Sequence, residues 1–157
     1  MFKIITADFK QEKHREAFIS LIDEYARGDM GEGNPLSAEI KKRLVQDIRQ
    51  HISVCVYFAV YDNIIVGLAT CFTGYSTFSA AGLINIHDLI ITKEYRRRGV
   101  ASVLLEHIAN EARAKELCKV TLEVRGDNAA ALELYEKQGF SPGPHPMYFL
   151  TKNLKEA

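Results

Sequence analysis

The chain has 157 residues, 47% hydrophobic and 25% charged, which suits one domain, residues 1–157, with a real core and excludes a disordered or fibrous protein. Acidic and basic residues balance at 20 each, so overall charge points to neither nucleic acid nor an anionic membrane. Any basic site must be local. The cysteines, Cys55, Cys71 and Cys118, are odd in number and lack C-x-x-C spacing, which argues against a disulfide framework or a metal knuckle. They read as buried thiols of a reducing compartment. The N-terminus has no signal-peptide shape and no apolar run is long enough to span a bilayer, so the expected location is cytoplasmic.

In chain order, "FKIITAD" (2–8) reads as a short strand. "EKHREAFISLIDEYAR" places Phe18, Leu21, Ile22 and Tyr25 at helical spacing. "GDMGEGNP" is a loop, and Ser37 stands where an N-cap would open a helix with Ile40, Leu44 and Ile48 on one face. "SVCVYFAVYDNIIVGLATCF" is a hairpin turning at Asp62-Asn63. "GYSTFSAAG" breaks the pattern. "LINIHDLIIT" is a strand with few polar residues, expected to be central and covered on both faces. A helix follows, with Val100, Val103, Leu104, Ile108 and Ala112 on one side. "KVTLEV" is a strand, "NAAALELYEKQ" a helix stopped by Gly139, and "MYFLTKNL" a final strand after the stiff "PGPHP" connection. This is an α/β (α+β) fold: a mixed, mostly antiparallel central sheet, one parallel pair, and helices on both faces.

The segment "KEYRRRGVAS" (93–102) carries the strongest chemical signal. It lies where a strand hands over to a helix. The first turn of a helix offers free N–H groups and the positive end of the dipole, which together bind an anion through the backbone. Close approach of phosphate needs small residues, and Gly99 and Ala101 supply them. Arg96, Arg97 and Arg98 raise the local potential. Taken alone, the triplet reads as a solvated basic patch, and one triplet in a neutral chain is thin support for nucleic-acid binding.

The stretch "LIITKEYRRRGVASVLL" resembles the central Q/R-x-x-G-x-G/A motif of the GNAT acetyltransferase superfamily, here Arg96-Arg97-Arg98-Gly99-Val100-Ala101. "NAAALELYEKQGF" resembles the same superfamily's later motif. The two span most of the chain from Ile84 to Phe140, in family order. The resemblance implies a GNAT-like splayed strand pair and an acetyl-CoA co-substrate, with no metal. Its diphosphate would sit on the amides of Arg97, Arg98, Gly99, Val100, Ala101 and Ser102. Its pantetheine would pair like a strand with Leu89, Ile90 and Ile91. Asn128 would bond the pantetheine amides, or cap its helix, or both. Tyr135 would protonate the leaving sulfur, its plainer role being packing.

The amine acceptor must lose a proton before it attacks. Many family members use a Glu on the strand occupied here by "NIHDLII". In this chain His87 takes the likeliest such place, with Asp88 as the alternative base and sheet hydrogen bonding as the plainer role of the histidine. By period two, Asn85, His87 and Leu89 share one face and Asp88 the other, unless a bulge intervenes. Asp29, Glu32, Phe72, Tyr75 and Phe78 are candidate acceptor contacts, although each reads more simply as loop or core. The expected acceptor is a small-molecule or peptide amine, with neither nucleic acid nor membrane expected as partner. Dimers are common in the family, and the sequence carries no interface signal of its own. The expected activity is direct N-acetyl transfer, and the alternative is a noncatalytic acyl-CoA-binding sensor or docking module.

Overall fold

The computed structural model describes residues 1–145 and 147–154. The chain falls into two units, Met1–Leu122 and Glu123–Ala157. The first holds β1 (Lys3–Thr6), α1 (Glu12–Arg27), α2 (Ala38–Ile48), β2 (Val54–Tyr61), β3 (Ile64–Ser76), β4 (Ala81–Ile91), a 3-10 turn (Lys93–Tyr95), α3 (Val100–Ala114) and β5 (Lys119–Leu122). The second holds α4 (Ala129–Lys137).

The sheet order is β1-β2-β3-β4-β5. The first three pairings are antiparallel and β4–β5 is parallel. Asp62 (φ 47°) and Asn63 (φ 63°) are both left-handed, as the tight turn of a right-twisted hairpin requires, so β2 and β3 meet where the sequence predicts. Cross-strand partners share a face. Val56, Phe58, Leu68 and Ile90 face α1 and α2, and with Phe18, Leu21 and Val45 they form one core layer. Tyr57 and its partner Ala69 lie on the opposite face, where the Tyr57 ring meets His107 of α3 at 5.0 Å. Val100, Leu104, Leu105, Ile108 and Ala112 of α3 are buried. The predicted helical stripe is therefore right except that Leu105, not Val103, is fully enclosed.

The loop between α1 and α2 is held by a buried carboxylate. Asp23, 8% exposed, pairs with Arg27 at 2.8 Å and Lys41 at 3.0 Å, and accepts the Leu36 amide at 2.8 Å. Ser37 caps α2 through the Ile40 amide at 3.2 Å, as its position predicts.

Two expectations fail. "GYSTFSAAG" is not a break: Gly74, Tyr75 and Ser76 pair with Leu83, Gly82 and Ala81, so the turn is confined to residues 77–80. Ladder hydrogen bonds override a local composition that reads as loop. No strand forms over residues 147–154. Met147, Tyr148, Phe149, Leu150 and Leu154 are each at least 79% exposed. An alternating pattern supplies a face but no partner, and among the described residues no strand takes up this segment's N–H and C=O groups. The connection before it includes Pro146, outside the described residues.

The ion pair with Lys41 lowers the Asp23 pKa from 3.8 to about 2, with Arg27 and the Leu36 amide helping. A carboxyl with a depressed folded pKa stabilises fully above its unfolded value, and that contribution is lost as pH falls toward about 2. Asp23→Asn should lower the thermal midpoint at pH 7, and its deficit against the wild type should shrink between pH 4 and pH 2. Calorimetric melts across that range check this.

Candidate functional site

The site is organised by one extra residue in β4. Thr70 pairs with Asp88 and Cys71 pairs with Ile86, so His87 is left over as a β-bulge. The bulge resets the alternation. Asn85 pairs with Phe72, Asp88 with Thr70 and Ile90 with Leu68, which puts Asn85, Asp88 and Ile90 on the α1/α2 face. The His87 ring meets Phe72 edge-on at 5.4 Å, on that same face. Leu89 pairs with Ala69 and turns to the α3 face. Strict period two fails here as the bulge proviso allows: His87 and Asp88 lie side by side, and Leu89 leaves them.

The parallel pair opens at the same level. Leu83, Ile84, Asn85 and Ile86 pair with Lys119, Val120, Thr121 and Leu122, and Asn85 Nδ2 donates to Thr121 Oγ1 at 3.2 Å. Among the described residues no β5 pairing continues past Ile86. On the β5 side Leu89, Ile90 and Ile91 thus have no ladder partner among the described residues, although the Ile91 carbonyl accepts from Arg96 Nε at 3.0 Å.

The turn that follows is left-handed at Arg97 (φ 59°) and Gly99 (φ 82°). Such alternation curls successive N–H groups into a concavity suited to anions. The first intrahelical bond of α3 runs from Val103 N to Gly99 O at 3.1 Å, so the amides of Val100, Ala101 and Ser102 precede the ladder. No side chain caps α3 and its first turn holds no acid. A Cβ built on Gly99 would meet no atom within 4 Å, so glycine is needed there for its φ and leaves the concavity unobstructed. The arginines divide their duties. Arg96 braces the turn, reaching Ile91 O and standing 3.8 Å from Glu24, which also accepts the Lys93 amide at 3.3 Å. Arg98 lies over the Tyr95 ring at 5.1 Å. Arg97 is exposed.

Burial raises the Asp88 pKa above the ordinary carboxylate value, against smaller opposing effects of Thr70 and His87. Burial likewise pushes the Cys71 thiol up to about 12, helped by Cys55 and Asp88. Cys71 is therefore protonated at neutral pH and unsuited to carry an acyl group. It is the one cysteine of the three that is buried as expected: Cys55 is partly exposed, and Cys118, just ahead of the short β5, is exposed.

An apolar groove of about 400 Å³ runs beside the bulge, walled by Ile40, Leu44 and Ile48 of α2 and by Val54 and Phe72. His51 lines it and touches Phe72 ring to ring at 5.7 Å, so Phe72 links His51 to His87. Its rim carries Glu39, Arg43 and Asp47, with Arg43 ion-paired to both acids at 4.0 and 3.3 Å. Of the expected acceptor contacts, Phe72 lies here. Tyr75 and Phe78 are 65% and 103% exposed near the β3–β4 turn, and Asp29 and Glu32 stay in the α1–α2 loop. The sequence reading missed His51 and Thr70. The helical stripe Ile40, Leu44 and Ile48 was visible, but it reads as core rather than as a groove wall.

In the second unit, Asn128 caps α4 by accepting the Ala131 amide at 3.2 Å. Gly139 (φ 84°) closes it: the Gly139 amide donates to Glu136 O and the Phe140 amide to Tyr135 O, both at 2.9 Å. The Tyr135 and Phe140 rings lie 5.9 Å apart, the apolar contact that accompanies this helix ending. Tyr135 thus has a packing role whatever its hydroxyl does.

The sequence profile of the acetyltransferase (GNAT) family matches residues 10–140. The chain belongs to the GNAT acetyltransferase family. It is 38% identical over 56 residues to the [ribosomal protein bS18]-alanine N-acetyltransferase of Salmonella typhimurium, a match covering 36% of this chain and 38% of that relative. It is 29% identical over 106 residues to an N-alpha-acetyltransferase of Saccharolobus solfataricus, covering 61% of each. The GNAT fold of AAC(6')-Iy, solved in complex with the bisubstrate analogue CoA-S-monomethyl-acetylneamine, superposes with a TM-score of 0.76 at 14% identity over 98% of this chain and 99% of that one. The expected mixed sheet and parallel pair are those of the family.

Gly99→Ala should lower stability by about 1–2 kcal/mol through its left-handed backbone alone, because the added methyl meets nothing. Urea denaturation measures it.

Proposed function

We propose that this GNAT chain is an N-acetyltransferase that moves an acetyl group from acetyl-CoA directly to a primary amine. The observation that carries the reading is that the β4 bulge and the end of β5 pairing fall at one level of the sheet, and that β4 runs on from there into the uncapped start of α3. In this reading the amides of Arg97 to Ser102 hold the diphosphate, with Arg98 and Arg97 adding charge and Arg96 bracing the turn. Main-chain groups of Leu89, Ile90 and Ile91 hold the pantetheine, with the Ile91 amide facing the thioester oxygen as charge develops. Asn128, beyond its cap, is a further pantetheine contact. Membership of the family and the CoA-containing bisubstrate analogue bound to AAC(6')-Iy support this.

The base is drawn from the bulge pair. Asp88 is the half-buried member, and burial holds its carboxyl above the ordinary range, nearer to working pH. His87 is the exposed neighbour through which the proton leaves. The amine N–H bond breaks as an O–H bond forms on Asp88. The nitrogen lone pair bonds to the thioester carbon, the C–S bond breaks with its electrons on sulfur, and the Tyr135 hydroxyl supplies the sulfur's proton.

The acceptor we infer is the α-amine of a peptide with an apolar residue near its end. The groove beside Phe72 accommodates an apolar side chain, and the Salmonella relative is a ribosomal-protein-alanine N-acetyltransferase and the Saccharolobus one an N-alpha-acetyltransferase. An α-amine with a pKa of about 7.7–8.0 is roughly a quarter neutral at pH 7.4, whereas a lysine near 10.4 is neutral about one time in a thousand. A modest base therefore suffices for the former.

One observation favours the noncatalytic acyl-CoA-binding alternative: the Schellman contact with Phe140 accounts for the Tyr135 ring without chemistry. Tyr135→Phe separates the two, since it keeps the ring and removes only the hydroxyl. An enzyme using Tyr135 should lose at least about tenfold in kcat, consistent with the range for acid–base groups, with unchanged CoA affinity by calorimetry. A peptide panel varied at its first two residues, read by thiol release, should favour apolar ones. No turnover with any amine while CoA still binds would favour the sensor.

A further inference from the structure

We propose that Thr70 is a positioning residue that holds the Asp88 carboxyl in its proton-accepting geometry, donating to the carboxylate and accepting from the acid. The inference rests on the reading of Asp88 as base. Thr70 is 2% exposed in the middle of β3 and directly opposite Asp88 in the ladder. Its Oγ1 is buried with no hydrogen-bond partner among the described residues. A buried hydroxyl left unpaired is costly, and valine would fill the same shape without that cost. The hydroxyl therefore calls for a partner, and the cross-strand polar group is the Asp88 carboxyl, close enough for Thr70 to favour its charged form although the two are not hydrogen-bonded here.

The surroundings leave few competitors. Along β4 the neighbouring titratable group is His87, and on β3 it is Cys71, kept protonated by burial. From above, α1 and α2 bring Phe18, Leu21 and Val45 to this layer. The buried His14 of α1 is occupied with the Asp8 amide at 2.9 Å and lies against Phe58. Because a hydroxyl both donates and accepts, Thr70 can follow the proton. It donates to the carboxylate before transfer and accepts from the O–H formed on Asp88 afterwards.

The test is the pH dependence of kcat/KM for the full chain with acetyl-CoA and the best peptide of the panel, in Thr70→Val, Thr70→Ser and Asp88→Asn. Loss of the donor disfavours the carboxylate, so Thr70→Val should move the acidic limb up by about one pH unit, roughly tenfold in rate below the limb, and converge with wild type above it. Thr70→Ser should restore the limb. An unmoved limb in Thr70→Val, or a pH-independent loss that Ser does not rescue, overturns the proposal. If Asp88→Asn keeps the wild-type limb, the base assignment falls, and this inference with it. A carboxyl-carbon NMR titration of Asp88 needs no turnover: its pKa should rise in Thr70→Val, and an unchanged value sinks the inference.

Discussion

A single residue too many in β4 decides which side chains share the α1/α2 face of the sheet. Without it, His87 and Asp88 would alternate across the sheet, one under α1 and α2 and the other under α3. The bulge instead sets both on the α1/α2 face, beside Phe72 and Thr70. The interruption is tolerable because the ladder resumes on either side, with Ile86 against Cys71 and Asp88 against Thr70. It also marks the level at which pairing with β5 ends, after Ile86 and Leu122.

The turn after β4 illustrates how charge and backbone share a task. Three successive arginines invite the reading that all three serve a phosphate. In the folded chain Arg96 is held by the Ile91 carbonyl and Glu24, and Arg98 rests over Tyr95. What the turn offers an anion is first of all its curled backbone and the uncapped start of α3. A carboxylate in that first turn would compete with any anion there, and none is present. Helix α1 has an indirect part, since Glu24 ties its last turns to the loop that precedes α3.

Burial sorts the reactive side chains. Asp88 is enclosed enough to hold its proton more tightly than a surface acid, yet it remains partly accessible. Cys71, one residue beyond Asp88's partner on β3, is enclosed so fully that its thiol is inert. Asp23, surrounded by two cations and an amide, goes the other way and serves to fasten α1 to α2. That fastening positions Ile40, Leu44 and Ile48 as a groove wall facing Phe72.

Local chemistry was legible in the chain before folding. Asp62-Asn63 can adopt φ > 0 and so dictates a hairpin, Ser37 and Asn128 carry the oxygens that cap helices, and Gly139 ends one. The Arg-Arg-Arg-Gly-Val-Ala run likewise declared a strand-to-helix junction with a glycine at its turn, because those requirements lie in consecutive residues. Pairing between distant segments was not legible. Alternation in "MYFLTKNL" could not say whether a partner strand existed, and the composition of "GYSTFSAAG" could not reveal that β4 would draw it into a ladder. The bulge at His87, the face taken by Asp88 and the nearness of Thr70 are properties of register between β3 and β4. Register is set by how two strands fit over a shared core, a quantity no single stretch of sequence contains.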